Sequence, residues 1–452
     1  MIKKRLFWFL TLFIFCVLGN SLNWLFLLPS ISIVIFLMIK SKNEELFYLS
    51  LFLVPNIRIM DNIGVTFAVN ILMSLPAIIY LFRKRIKIET KVGLFVIFLF
   101  CIELLHIIAL FNYNNLLPAV SCFMGMLFCL SLLCDKDKVI NVKKAWVYFV
   151  GGIFFSTFAY FACHIDYAIN IVNNVMSNRR FSAFAGEPNY FALYICLALS
   201  VVFLFEKLSI WHFVVVFGLI FIGLTTSSKM CFILMAAIVT LGIVYNLVFS
   251  FNPKRAMMNF FLFVVLLAIA FVFRNELVLF VNKFMSRSGI IGNSIDIDAL
   301  TSNRSTIINN YLNELKTNPI ALWLGYGLQY YNHFDNIGNP AAHNTFFDIL
   351  LAWGVGGTIL FIVIICYAIN AYKITSSNKR LRFFNFFPLL ILLVNFMDLS
   401  CLNSTMFWWI VTFAIICIRG INGIERKNNK SLCCVSPYNP CLESLEVNRN
   451  NL

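Results

Sequence analysis

Residues 92–111 read VGLFVIFLFCIELLHIIALF, an unbroken apolar run in which only Glu103 and His106 can carry charge. A helix of about 20 such residues matches the ~30 Å hydrocarbon core of a bilayer, where every backbone N–H must be satisfied within the chain. Similar runs recur from the N-terminus to Ile418. Hydrophobic residues are 61% of the chain and charged residues only 12%, too few to cover a soluble domain. The pattern predicts an all-α polytopic integral membrane protein.

The expected spans are 6–19, 22–39, 45–60, 64–82, 92–111, 116–133, 145–164, 187–205, 211–226, 230–250, 257–273, 345–370, 383–398 and 402–418. That is about 14 transmembrane helices, within a range of about 11 to 14, forming one transmembrane domain over 1–418. The weakest, 45–60, is short and carries Pro55; charge bias favours a true crossing over a re-entrant segment. Lys3-Lys4-Arg5 and the apolar stretch after it imitate a secretory signal, but an uncleaved first span is the better reading. Residues 274–343 form one large loop, and 419–452 a polar, Asn-rich tail expected to be disordered. No internal repeat is visible.

The +15 net charge sits mainly in short connectors such as Arg83-Lys84-Arg85, Lys143-Lys144 and Arg380-Leu381-Arg382. These are orientation signals rather than a nucleic-acid face, and they put both termini in the cytoplasm. Of the 35 Lys and Arg, nine fall on the other side: Arg58, Arg179, Arg180, Lys229, Arg274, Lys283, Arg287, Arg304 and Lys316. Cations kept where topology disfavours them suggest an anionic substrate handled outside the cytoplasm. The cysteines lie mostly inside apolar runs and show no zinc spacing, so no metal site is expected from them.

Six polar segments can carry chemistry. Arg179-Arg180 leads through Gly186-Glu187-Pro188-Asn189 into the span near 187, and Pro188 suits a first helical turn. Two arginines beside a helix start can hold a phosphate; the plainer account is a turn with an interfacial Arg–Glu pair. Thr225-Thr226-Ser227-Ser228-Lys229 is a polar turn, read on its own as a hydroxyl-rich hairpin with one lysine. Within the large loop, about 302–317 has an amphipathic period: Ile307, Ile308, Tyr311, Leu312 and Leu315 share a face. Thr301 or Ser302 suits its N-cap, leaving Arg304 in a first turn where a bound anion would offset the dipole. Asp296-Ile297-Asp298 is a short string of weak metal-binding character. Gly325-Tyr326-Gly327 fits a tight turn ahead of His343-Asn344 and Asp348, and a neutral His343 could accept a hydroxyl proton. Glu103 and His106 are either a functional pair or a lock between helices.

The order Arg180-x-Ser182-x-Phe184-x-x-x-Pro188-Asn189, Thr225-x-Ser227-x-Lys229, an Arg304-led helix, Gly325-x-Gly327, then His343-Asn344 with Gly354-x-x-Gly357 resembles the O-antigen polymerase/O-antigen ligase superfamily. The resemblance covers roughly 179–360. It implies an inner-membrane, metal-independent, inverting glycosyltransferase of C type, with a large periplasmic loop and no cofactor. Such an enzyme transfers a glycan from undecaprenyl diphosphate, and a chain-length regulator protein is a possible partner. By motif, Arg180 and Arg304 become diphosphate clamps, supported by Arg179 and Lys229. His343 becomes the base and Glu187 the alternative base, with Asn189, Asn344 and Asp348 supporting. The Gly-Glu-Pro-Asn string resembles a polymerase of O-antigen or capsule repeats more than a ligase acting on lipid A–core. A lipid-linked-saccharide flippase is the rival of another class.

Overall fold

The computed structural model describes residues 2–59, 66–83, 90–109, 116–134, 140–176, 179–202, 204–205, 209–249, 304–333, 342–372, 385–402 and 406–418, with isolated positions between 274 and 295. The expected span 257–273, the tail 419–452, Thr301, Ser302 and the Asp296/Asp298 pair lie outside these residues. In chain order the helices are α1 (Ile2–Ser21), α2 (Leu27–Lys40), α3 (Asn43–Leu53), α4 (Thr66–Arg83), α5 (Thr90–Ala109), α6 (Leu116–Cys134), α7 (Val142–Cys163), α8 (Ile165–Ile169) and α9 (Ile171–Met176). They continue with α10 (Pro188–Val202), α11 (Ile210–Thr225), α12 (Lys229–Phe249), α13 (Arg304–Thr317), α14 (Pro319–Leu324), α15 (Thr345–Tyr372), α16 (Phe387–Phe396) and α17 (Phe407–Cys417). A two-residue antiparallel pairing of Ile290–Ile291 with Ser294–Ile295 is the strand content among the described residues.

Three helices among the described residues, α6, α7 and α15, are long and apolar enough to cross a membrane alone. Shorter apolar helices pack around them. Large apolar side chains stay exposed on outer faces: Leu94, Ile97, Phe98, Leu105 and Ile108 of α5, and Ile359, Ile362 and Val363 of α15. Contiguous apolar surface on this scale has lipid, not water, as its solvent. By contrast α10 is buried at every residue from Phe191 to Val202, and α17 along its whole length. A helix that is apolar all round sits at the centre of its bundle.

Two chain breaks shape the bundle. The first is at Pro55, inside the expected span 45–60, where the missing N–H removes a rung of the helix ladder. Helix α3 ends at Leu53 and a 3-10 turn, Val54–Asn56, follows. The carbonyls left over find side chains: Asn56 Nδ2 donates to Phe52 O at 2.8 Å and Gly152 O at 3.1 Å, and Ser156 Oγ donates to Pro55 O at 2.8 Å. Gly152 allows this because a Cβ there would overlap Phe52 O.

The second break is inside α15, where Gly354 has φ 63° and ψ −170°, a backbone state open essentially to glycine alone. The carbonyls freed by the break accept from a distant turn: Tyr326 N–H donates to Leu351 O and Gly327 N–H to Ala352 O, each at 2.8 Å. Backbone meets backbone here, since a Cβ at Gly325 would overlap Ala352 and one at Gly354 would overlap Trp323. In a low-dielectric bundle such substitution for lost helix bonds is what makes a break tolerable.

Candidate functional site

The segment before α10 is anchored by Phe181, whose buried ring packs against Tyr160, Phe161, Tyr167 and Phe191 with centroids 5.2 to 5.7 Å apart. With Phe181 fixed, Arg179 is exposed and Arg180 half-buried on its N-terminal side. Arg180 Nη2 donates to Asn189 Oδ1, and Asn189 Nδ2 donates to Glu187 Oε1 at 3.2 Å. Arg180, Asn189 and Glu187 thus form one polar row at the start of α10, whose first residue is Pro188. The expected direct Arg–Glu turn becomes an Arg–Asn–Glu row, because Asn189 stands between the two charges.

A further cation joins this row from the first part of the chain. Arg58 follows the Pro55 break; its N–H donates to Phe184 O at 2.9 Å, and Phe184 N–H donates to Ser156 Oγ at 3.0 Å. The Arg58 side chain lies directly over Gly186, which has φ 86° and no room for a Cβ. Sequence reading placed Arg58 among the nine outward cations but gave it no site, since nothing local links it to Gly186.

The Thr225–Lys229 turn is joined to the same segment by Phe181 N–H, which donates to Thr225 O at 3.1 Å. Its threonine hydroxyls are spent locally: Thr225 Oγ1 donates to Ile222 O at 2.7 Å and Thr226 Oγ1 to Gly223 O at 2.8 Å. Ser227 takes φ 50°, closing the turn so that Lys229, half-buried, opens α12. The turn sets the position of Lys229.

At the start of α15, Asn344 Oδ1 accepts from Phe346 N–H at 3.0 Å and Phe347 N–H at 3.2 Å. Asn344 is therefore the helix N-cap, which explains its residue type without a substrate. Asp348, on the next turn, is buried, and its Oδ1 accepts from Tyr330 OH at 2.6 Å and Ser400 Oγ at 2.9 Å. Ser400 O in turn accepts from Tyr190 OH, in the first turn of α10. This chain of bonds connects the Glu187–Asn189 helix start to the His343–Asn344 helix start. His343 is half-buried with φ 51°.

Glu103 and His106 each grip the Gly325–Leu328 turn. Leu328 N–H donates to both Glu103 carboxyl oxygens at 3.0 Å, Trp353 Nε1 donates to Oε2 at 3.3 Å, and His106 Nε2 lies 3.1 Å from Gly325 O. A carbonyl only accepts, so that ring nitrogen carries the proton. The arrangement is the lock, between α5 and the turn that repairs α15.

Arg304 opens α13, whose Tyr311 and Leu315 are buried with Tyr330 and Ala342 in a second small core. Tyr311 and Tyr330 meet edge-on at 5.5 Å. The apolar face expected on α13 is thus spent on the Tyr330 segment.

Residues 213–362 match the model of the O-antigen ligase family. That stretch holds Lys229, Arg304, the Gly325–Gly327 turn, His343, Asp348 and the Gly354 break, while Arg58, Arg180, Glu187 and Asn189 lie before it. No curated protein matches the chain. The match over 213–362 supports the chain's place in the O-antigen polymerase/O-antigen ligase superfamily.

Proposed function

We propose that this chain is a polymerase of lipid-linked polysaccharide repeat units, of O-antigen or capsule type. It moves a growing glycan from undecaprenyl diphosphate to the non-reducing end of a new lipid-linked repeat. The observation that carries this reading is the joining of the arginine-bearing start of α10 to the His343-bearing start of α15 through Tyr190, Ser400 and Asp348. This joining supports the reading, because the reaction needs both leaving-group stabilisation and proton acceptance.

In this reading the acceptor hydroxyl attacks the anomeric carbon, the bond from that carbon to the diphosphate oxygen breaks, and its electron pair leaves on the diphosphate. His343 takes the hydroxyl proton, with Glu187 as alternative base. Arg180, with Asn189 holding its fork, and Arg304 receive the departing charge; Arg179, Lys229 and Arg58 add to the field. Guanidinium groups stay ionised and match phosphate oxygens in pairs, and such preorganised charge is worth about 3 to 4 kcal/mol per donor in comparable sites. Attack opposite the leaving group inverts the anomeric centre. Guanidinium charge does the work a divalent cation would otherwise do, so turnover should survive chelation. The site faces the periplasm of the inner membrane in this reading, because its cations lie on the side opposite the cytoplasmic connectors.

The matched family's description as O-antigen ligase favours a ligase as the second reading. The polymerase is preferred on Gly186-Glu187-Pro188-Asn189, whose Glu187 sits in the polar row with Arg180. A deletion strain separates the two. Loss of a polymerase leaves single repeats capped onto lipid A–core; loss of a ligase leaves long chains stranded on the carrier lipid. Purified protein that moves lipid-linked saccharide across vesicles without turnover would mark a flippase instead.

A further inference from the structure

We propose that Tyr330 is a positioning residue for His343, holding the strained backbone beside it through a single phenolic oxygen. The inference rests on the reading of His343 as the base. Tyr330 is 1% exposed and lies in a short 3-10 turn, Tyr330–His333, just beyond the Gly-x-Gly turn. Its oxygen works in both directions: the hydroxyl donates to Asp348 Oδ1 at 2.6 Å and accepts from the Ala342 N–H at 2.8 Å. Ala342 is fully buried and directly precedes His343, whose φ of 51° is a left-handed state that side chains with a Cβ seldom adopt. Such a backbone persists only where its surroundings over-determine it, and strain of this kind gathers at functional positions.

The surroundings here are specific. Burial, reinforced by the neighbouring Asp348 carboxyl, pushes the Tyr330 phenol well above its usual range, so it keeps its proton and remains Asp348's donor. Asp348 is one turn into α15, and the same Oδ1 also accepts from Ser400 Oγ. The Ala342 peptide, and with it the direction from which His343 leaves the chain, is therefore tied to α15. Tyr330 also takes the Tyr311 ring of α13, the helix that Arg304 opens. One side chain thus sets the backbone beside the proposed base and docks the helix led by a proposed clamp. No signal in the sequence singles it out among 16 tyrosines, since its partners lie 12 and 18 residues further along the chain.

Tyr330→Phe removes the oxygen and keeps the ring. In full-length protein purified in detergent and assayed with a lipid-diphosphate oligosaccharide, we expect kcat to fall about tenfold or more with KM within about twofold of wild type. In a His343→Ala background the same substitution should add no further loss, because residues acting as one unit are not additive. A wild-type kcat for Tyr330→Phe, with His343→Ala impaired, overturns the inference alone. A full multiplicative loss in the His343→Ala background also overturns it, since that is what a general structural role produces. His343→Ala with full activity overturns both the base reading and this one. Should Tyr330→Phe not fold, Asp348→Asn is the second variant: its amide oxygen still accepts from Tyr330, and it should show a smaller kcat loss with the same silence in the His343→Ala background. An Asp348→Asn loss undiminished in that background counts against the inference.

Discussion

Helices α10 and α15 begin beside each other and are built on opposite plans. Helix α10 is unbroken, buried all round, and starts at Pro188 with its polar row, Arg180, Asn189 and Glu187, supplied by residues next to it in the chain. Helix α15 is capped by its own Asn344 but snaps at Gly354, and its start depends on partners from Tyr330, Ser400 and, through the break, Glu103. The first is a rigid post that carries charge; the second is held in place by the loop it serves. In the proposed reading, leaving-group binding falls to α10 and acceptor activation to α15.

The strongest test of that division is charge removal on the α10 side. Arg180→Ala should lower chain extension by about 100- to 1,000-fold, the usual cost of one lost electrostatic donor, with protein level unchanged on an immunoblot. Arg180→Lys keeps charge but not the fork and should recover only part of this, read from the glycan ladder. A ladder of wild-type length in Arg180→Ala would remove α10 from the chemistry.

Next in size is Gly354→Ala. A Cβ there meets the Trp323 carbonyl and sits on a backbone state that alanine avoids, at a cost on the order of 1–3 kcal/mol before any repacking. We expect a lower melting temperature and a comparable loss of turnover, since the break and the Gly325–Gly327 turn are one unit. Stability lost with turnover unchanged per folded molecule would show that the clasp has no bearing on His343.

Arg58→Ala should act on the α10 side without touching α15. Substrate KM should rise several-fold and become more sensitive to salt, while the melting temperature moves little, because the side chain is exposed. An unchanged KM would confine Arg58 to packing over Gly186. The smallest effect belongs to Asn344→Ala, which removes an N-cap and should cost about 1 kcal/mol of stability; Asn344→Asp or Asn344→Ser should restore it. A loss of activity far beyond that cost would give Asn344 a role in the reaction as well as in the helix.

Much of α10 was legible beforehand for a local reason. Pro188 needs no N–H partner in a first turn, so the helix start could be read from one residue; the pairing expected there was Arg with Glu, and Asn189 stands between them instead. The period of Ile307, Tyr311 and Leu315 likewise foretold a helical face, but not that Tyr330 rather than lipid would cover it. The break at Gly354 was not legible, because a glycine inside an apolar run looks the same whether its helix is straight or interrupted. Glu103 and His106 could be flagged as costly inside a span, yet their partner is a turn more than 200 residues away.

The chain by itself determined the apolar runs, the start of α10 and the order of the polar motifs, because each follows from short-range sterics, hydrogen bonding or transfer out of water. Only the tertiary structure decided that Arg58 lies over Gly186, that Tyr190 reaches Asp348 through Ser400, and that Tyr330 stands beside His343. Those contacts join segments whose separation along the chain carries no information about which will meet. They are chosen by packing, as each buried polar group finds the partner that offsets its desolvation.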